Sequence, residues 1–184
     1  MESTANLDLL CALGRRRWTL PLLAQFAQDG GQRFVQLLHR LQLPRDSLAR
    51  TLQEAERAGW IMRNPGHGHP LRPEYILTAA GEAVAELALK LRDALISAGL
   101  DPGGLPRWAL PVILELGQGH DRFNDLARAL DQSTPRALSQ SLRFLVAEGL
   151  VERRVQDGFP PSSRYILSAS GSAIHASAQR TTAL

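Results

Sequence analysis

The 184-residue sequence contains one cysteine, Cys11, and one lysine, Lys90. A single cysteine cannot form an intramolecular disulfide, so the composition gives no support to a secreted disulfide scaffold. No apolar run approaches the roughly eighteen residues that a membrane-spanning helix needs. Residues 1–18 place acids before an apolar stretch and arginines after it, which is the reverse of a secretory signal. We therefore expect a cytoplasmic protein without a membrane segment.

Residue patterns that carry catalysis or bind metals are also lacking. The sequence shows no cluster of cysteine, histidine and carboxylate, no glycine-rich phosphate loop and no serine elbow motif. His67 and His69 share one loop, but two histidines without a third partner at ligand spacing are far more often solvated than metal-bound. We expect no enzyme activity, no metal and no cofactor.

Arginine is the residue type that the chain has in excess. It supplies twenty of the twenty-one basic side chains, and the sequence pI is about 9.7. Residues 33–72 contain seven arginines and three acids, and residues 122–164 contain seven arginines and five acids. The planar guanidinium can bind phosphate or guanine through two hydrogen bonds, so both segments suit DNA contact. A codon-usage bias would produce the same excess, and composition alone leaves both explanations open.

The chain repeats itself at a shift of ninety residues. The shift places RWTLP at 17–21 on RWALP at 107–111, and YIL at 75–77 on YIL at 165–167. Further matches pair Leu48 with Leu138, Leu52 with Leu142, Gly59 with Gly149, Arg63 with Arg153 and Gly81 with Gly171. The pattern predicts an internal tandem duplication, with one domain at 1–98 and the other at 99–184.

Each repeat predicts the same order of elements. In the segment SLRFLVAEGLVERR at 141–154, leucines recur at helical spacing, and Gly149 is placed where a left-handed helix cap needs glycine. The charged segment after it is typical of a short strand. We predict helices at 5–27, 33–41, 45–58 and 79–98 in the first unit, and at 106–116, 122–130, 134–147 and 168–179 in the second. Pro44 and Pro135 suit a first helical turn, with Ser133 or Thr134 as a cap.

The two units differ at their beginnings. Unit one has an apolar helix, LDLLCAL, before its tryptophan, whereas the equivalent place in unit two is the end of the preceding helix followed by a short Gly- and Pro-containing linker at 99–106. We expect unit two to take that missing packing from unit one, so that the two domains are in contact.

The ordered motifs resemble those of the HxlR-type winged helix-turn-helix transcriptional regulators. The resemblance is carried by RWTL, an Arg-Phe pair, a Pro-Arg-x-Leu helix that ends in EGLVERR, and a wing with Pro-Pro and YILS or YILT. It implies a mainly α fold with small β wings, here as two tandem winged helix-turn-helix domains packed as a pseudo-dimer. Some members of that family sense oxidants through a cysteine well before the tryptophan. Cys11 lies only seven residues before Trp18 and does not match that position.

The second helix of such a motif lies in the major groove, where arginine can pair with guanine and glutamine with adenine. The predicted contacts in unit two are Arg136, Ser139, Gln140 and Arg143, and those in unit one are Arg45, Ser47, Arg50 and Gln53. Asp46 would repel phosphate, so unit two is the first choice for base recognition. The wing arginines Arg72 and Arg164 are expected to contact the DNA backbone or a minor groove.

The sequence thus predicts a sequence-specific transcriptional regulator whose partner is double-stranded DNA. The alternative is a winged-helix adaptor for protein interaction, for which Trp60 and Phe159 are the aromatic candidates. The sequence leaves open a homodimer of the tandem chain, the effector, the operator and the direction of regulation.

Overall fold

A computed structural model describes residues 2–64, 74–156 and 162–179 of the chain. Unit one comprises α1 (Glu2–Leu13), α2 (Thr19–Asp29), β1 (Gln32–Arg33), α3 (Phe34–Leu41), α4 (Arg45–Arg57), β2 (Ile61–Arg63), β3 (Glu74–Leu77) and α5 (Ala79–Ser97). Unit two comprises α6 (Ala109–Gly117), α7 (Phe123–Ala129), α8 (Pro135–Ala147), β4 (Val151–Gln156), β5 (Ser162–Leu167) and α9 (Ala169–Gln179).

Both units carry a small antiparallel sheet beside their helices. In unit one the strand order is β1-β3-β2, with Ile61 opposite Leu77 and Arg33 opposite Glu74. In unit two β4 pairs with β5 along its whole length. The counterpart of β1 is a single antiparallel bridge between Arg122 and Arg164. Two consecutive helices followed by such a hairpin make each unit a winged helix-turn-helix, which confirms the predicted fold class.

The ends of the second helices form as the sequence predicts. Gly59 and Gly149 adopt φ angles of 73° and 68°, a backbone region that glycine enters without a steric cost. At the start of α8 the hydroxyl of Thr134 accepts a hydrogen bond from the Ala137 amide at 3.2 Å, so Thr134, and not Ser133, is the cap. Pro135 is the first helical residue, whereas Pro44 lies one position before α4 begins.

The prediction of one continuous helix at 5–27 is wrong. The chain forms α1 and α2 with a turn at 14–18 between them. The turn brings Gly14 against the start of unit two, where a β-carbon on Gly14 would collide with the carbonyl oxygen of Arg107. The periodicity of apolar residues runs through both helices because both are buried, but they are buried against different units.

Helix α1 supplies packing that unit two lacks. It lies against α6, and the side-chain amide of Asn6 donates a hydrogen bond to the carbonyl of Ala178 in α9 at 3.2 Å. The last helices of the two units, α5 and α9, also pack on each other. The expectation that unit two borrows packing from unit one is thus confirmed, and the two units pack against each other.

The exact division of the chain at residues 98 and 99 stays a prediction. Leu100 and Trp108 are both buried, so the connection between the units contributes side chains to the apolar interior. Within the three described ranges, no helix is both long and apolar enough to cross a membrane.

A close contact is repeated where the last helix of each unit begins beside the wing. Thr78 and Ser168 cap these helices by accepting hydrogen bonds from the amides of Gly81 and Gly171. The amide of Ser168 also donates to the carbonyl oxygen of Leu150 at 2.9 Å. A β-carbon on Gly171 would collide with that same carbonyl oxygen. The duplicated glycines therefore let each last helix approach the first residue after the glycine cap.

We expect the substitution Gly171→Ala to lower the free energy of unfolding by about 1–3 kcal/mol, because the added methyl group forces the backbone apart. Urea denaturation of the full chain measures the change. Ser172→Ala is the matched control, since Ser172 is exposed on the same helical turn, and a surface change of this kind is within about 0.5 kcal/mol of neutral. Equal effects of the two substitutions would contradict the close-approach explanation.

Candidate nucleic-acid interface

Helix α8 buries one face and exposes the opposite one. Leu138, Ser141, Leu142 and Leu145 are buried and fix the rotation of the helix. That rotation leaves Arg136, Gln140 and Arg143 exposed, with Ser139 half-buried beside them. The three exposed side chains recur at spacings of four and three residues, so they lie along a single helical face.

Helix α4 in unit one has the same arrangement. Leu48, Thr51, Leu52 and Ala55 are buried, and Arg45, Asp46, Arg50 and Gln53 are exposed. Ser47 is half-buried, and its carbonyl accepts a hydrogen bond from the Thr51 hydroxyl at 2.7 Å. The guanidinium of Arg45 lies 5.6 Å from the ring centroid of Phe34, a cation–π distance. Arg45 is therefore partly engaged within its own unit.

The two helices differ in charge. Helix α8 contains two arginines and no acidic residue, whereas α4 contains three arginines and three acids. Phosphate and base-edge acceptors both favour a surface without carboxylates. The exposed face of α8 is thus the better suited of the two to a nucleic acid.

Two of the exposed arginines at 15–17 pair with acids within the protein. Arg16 forms an ion pair with Glu54 of α4. Arg17 lies 3.6 Å from a carboxylate oxygen of Asp101 and stacks on Trp18 at 4.6 Å from the ring centroid. These contacts connect the turn after α1 to α4 and to the linker between the units.

Of the two wing arginines predicted to contact DNA, Arg164 lies among the described residues and Arg72 does not. Arg164 lies on β5, where one of its guanidinium nitrogens is 2.8 Å from Asp121 and another donates to Gln156 at 3.2 Å. Asp121 balances the charge of Arg164, and this ion pair joins the wing to the segment before α7. Arg72 lies outside the described residues.

Sequence reasoning missed two wing residues, Arg153 and Arg154, which are exposed on β4. Arg154 pairs with Glu152 at 2.8 Å, an exposed pair on the same strand. Arg153 faces α8 and helps to line an open cleft of about 380 Å³ between that helix and the wing. The signal was available, since the alternation of VERRVQ in a strand puts Arg153 on the face of the hairpin that carries Val151.

Trp60 and Phe159 are the two aromatic residues that the sequence offers for protein interaction, and the structure does not show either of them exposed. Trp60 is half-buried and packs against the apolar core, so its assignment as an exposed aromatic is wrong. The residue directly follows the glycine cap, and its carbonyl accepts a hydrogen bond from the Thr78 amide at 3.0 Å, which joins its backbone to the start of α5. Phe159 lies outside the described residues.

Cys11 packs on the core between the two units. Burial raises the pKa of its thiol from 9.0 to about 11, and the nearby carboxylates of Asp8 and Glu115 act in the same direction. A thiol with so high a pKa is almost entirely protonated at neutral pH and is a poor nucleophile.

Across the described part of the chain, no three His, Cys, Asp or Glu side chains lie close enough to hold a metal ion. His67 and His69 lie outside it.

Two helix-turn-helix units, each followed by a wing and each with arginine and glutamine exposed on the second helix, define a tandem winged helix-turn-helix protein. A family model for the HxlR-like helix-turn-helix matches the chain twice, at residues 13–98 and 105–183. The chain belongs to the HxlR-like helix-turn-helix family.

Individual relatives match one part of the chain. An HTH-type transcriptional regulator of Methanothermobacter thermautotrophicus is 32% identical over 68 residues, which are 37% of this chain and 52% of the relative. The HTH-type transcriptional regulators YtcD and YvaP of Bacillus subtilis are each 34% identical, over 65 and 68 residues. These matches cover 35% and 37% of this chain and 52% and 63% of the two relatives. The chain thus spans about half to two thirds of the length of these relatives. No solved structure matches it.

The raised pKa of Cys11 predicts slow reaction of the folded protein with a thiol reagent such as DTNB. Two pKa units leave about a hundredfold less thiolate at neutral pH, so the rate should be well below the rate in urea, although the higher nucleophilicity of a more basic thiolate offsets part of that factor. The rate of the folded protein should rise with pH as the pKa of about 11 is approached. Similar rates for folded and unfolded chains at neutral pH would show that the thiol is accessible and ionised.

The ion pair between Arg16 and Glu54 predicts a pH-dependent contribution to stability. The hydrogen bond from Arg16 is the main cause that lowers the pKa of Glu54. A lowered pKa stabilises the fold above the pKa of the unfolded chain, and the contribution is lost as the pH falls through the folded value. Because both side chains are partly exposed, Arg16→Gln should cost only about 0.5 kcal/mol at pH 7 and nothing in acid.

Urea denaturation of wild type, Arg16→Gln, Glu54→Gln and the double variant gives the coupling energy between the two side chains directly. A coupling energy that is the same in acid as at neutral pH would exclude the ionic explanation.

Proposed function

We propose that the chain is a transcriptional regulator that binds double-stranded DNA with both of its winged-helix domains. Domain two, at 99–184, recognises bases, and domain one, at 1–98, adds contacts to the DNA backbone. The proposal is supported by the family membership and by relatives that are called transcriptional regulators. Those relatives come from prokaryotes, whose chromosome lies in the cytoplasm, and we propose that location for this chain.

The observation that carries the proposal is the exposed, acid-free face of α8. Arg136, Gln140 and Arg143 are all accessible there, at a spacing that fits base edges in a major groove. Ser139 adds a hydroxyl at the margin of the same face. On α4 the corresponding side chains are Arg45, Ser47, Arg50 and Gln53, but Asp46 stands among them, so we assign α4 mainly to phosphate contact.

The pairing of the units supports the use of both domains on one duplex. In two-fold DNA-binding dimers the second helices enter successive major grooves about 34 Å apart. Contacts between α5 and α9, and between α1 and α6, fix the two units against each other as a dimer interface would. We therefore expect the tandem chain to protect roughly two turns of duplex, or about 20 base pairs. Association of two such chains stays a prediction.

The test is selection of a binding sequence from random duplexes, followed by electrophoretic shift titrations at increasing salt. Affinity should fall steeply with salt, because each neutralised phosphate releases counterions. Arg136→Ala combined with Arg143→Ala should weaken binding and blur base preference, since each well-placed base contact contributes about 1–3 kcal/mol.

The matched variant is Arg45→Ala combined with Arg50→Ala, which removes the same charge from α4. It should weaken binding to all sequences alike, lower the salt slope by up to about 2, and leave base preference intact. Equal loss of base preference in the two variants would overturn the division of labour between the domains. A chain that binds no duplex at low salt, but retains a protein partner regardless of salt, would favour the adaptor function instead.

A further inference from the structure

The cleft between α8 and the wing combines an apolar wall with two guanidinium groups. Its volume is about 380 Å³, and its lining includes the apolar residues Leu142, Val146 and Ala147 together with Arg143, Arg153 and Tyr165. Val146 is 36% exposed, so part of the wall is in contact with water. Small-molecule sites typically have this composition, with apolar walls and a few polar groups that fix orientation.

Neither arginine of the cleft pairs with an acid among the residues that the structure describes. Arg153 donates two hydrogen bonds to the neutral hydroxyl of Ser163, at 3.2 and 3.0 Å. Arg143 is exposed on α8, at the mouth of the cleft. Two positive charges beside an apolar wall leave room for a ligand that carries a negative charge.

The duplicated unit shows which ligand group suits this position. At the shift of ninety residues Arg63 corresponds to Arg153, Tyr75 to Tyr165, and Glu56 to Val146. In unit one the carboxylate of Glu56 lies 3.2 Å from Arg63, whose guanidinium is also 6.0 Å from the ring centroid of Tyr75. Unit one thus supplies its own carboxylate to this arginine. Unit two has valine in its place.

We propose that the cleft of unit two is an effector site for a small organic carboxylate with an apolar body. The carboxylate binds Arg153 as Glu56 binds Arg63, and the apolar body packs on Val146 and Leu142. A charge-assisted hydrogen bond to a guanidinium is about twice as strong as one between neutral groups, which gives the site its preference for an anion.

The position of the cleft gives ligand binding a regulatory consequence, and this step rests on the proposed function. Arg143 belongs both to the lining of the cleft and to the exposed face of α8. A carboxylate bound to Arg153 lies in the same cleft as Arg143, a side chain that DNA also needs, and adds negative charge beside the phosphates. The effector therefore releases the protein from DNA.

Isothermal calorimetry on the full chain without DNA tests the site, with benzoate as the probe. Benzoate should bind with saturation at one site per chain. Acetate has the charge without the apolar body, and benzamide has the body without the charge, so each should bind at least about tenfold more weakly, a difference of about 1.4 kcal/mol. Phosphate that binds as tightly as benzoate would identify the cleft as a DNA-backbone contact and would overturn the proposal, as would the absence of saturable benzoate binding up to about 10 mM.

The repeat itself supplies the variants. Val146→Glu installs the carboxylate of unit one and should weaken benzoate binding by about tenfold or more, since the arginine is then occupied. Glu56→Val removes that carboxylate from unit one and should raise the number of benzoate sites from one towards two. Arg153→Gln gives a second loss-of-binding variant, and Lys90→Gln, on the exposed Glu86 pair of α5, is the control that should bind as wild type. Benzoate binding that is unchanged in both Val146→Glu and Arg153→Gln would overturn the proposal.

A DNA-shift titration with benzoate then tests the regulatory step. Benzoate should dissociate the complex of the wild-type chain but have little effect on the DNA affinity of Val146→Glu, which the new carboxylate should itself lower. Benzoate that binds in calorimetry without weakening the DNA complex would overturn the effector role. A chain that binds no DNA at all would overturn the proposed function, and calorimetry alone would then decide whether the carboxylate site exists.

Discussion

Burial of α6 along nearly its whole length is the constraint on which the arrangement of both units depends. Every residue from Ala109 to Leu116 is buried, whereas a helix at the surface of a domain normally keeps a polar face in water. Helices α8 and α9 cover α6 from within unit two, and α1 covers it from unit one. Even Glu115 is buried there, with its carboxylate 2.7 Å from a ring nitrogen of His120. Because α8 packs on this shared helix, its orientation is fixed relative to unit one as well.

The same packing explains why the copies have diverged. The positions on α2 that correspond to Pro111 and Glu115 are Pro21 and Gln25. They are only half-buried, since in the part of the chain that the structure describes no counterpart of α1 packs on them. A single α1 serves a pair of units that in a two-chain dimer would have two. Because the two units are packed differently in the interior, residues on their surfaces can also differ from one unit to the other. The acid-free face of α8 and the exchange of Glu56 for Val146 are both differences of that kind.

Much of the fold could be predicted from the sequence because the repeat tests each element twice. The glycine caps at Gly59 and Gly149, the threonine cap of α8 and the exposed face of that helix all follow from local patterns, and the structure contains them. The break between α1 and α2 did not follow, because both helices are apolar and only the contact of Gly14 with the other unit shows where the chain must turn. This contact joins residues far apart in the sequence, and the spacing of apolar residues cannot predict it.

The candidate site shows the same limit. Exposure of Arg136, Gln140 and Arg143 follows from the leucine spacing on the opposite face of the helix. The pairing of Arg164 with Asp121 depends on a residue 43 positions away, and the partial burial of Trp60 accompanies a close approach of its backbone to Gly81 of α5. To predict the cleft beside Arg153 from the sequence, one would have needed both the strand alternation of the wing and a comparison of the two repeats position by position. Charge runs in the sequence identify which segments are basic, but not which of their side chains are already paired.

Fusion of the two units in one polypeptide has a consequence for how the target sequence evolves. In a dimer of identical chains, any substitution on the second helix appears in both half-sites, which keeps the operator palindromic. Here α4 and α8 are encoded separately, so the DNA contacts proposed for one helix can change without those of the other. The target site that we propose for this chain is therefore asymmetric, and the protein would bind it in one orientation.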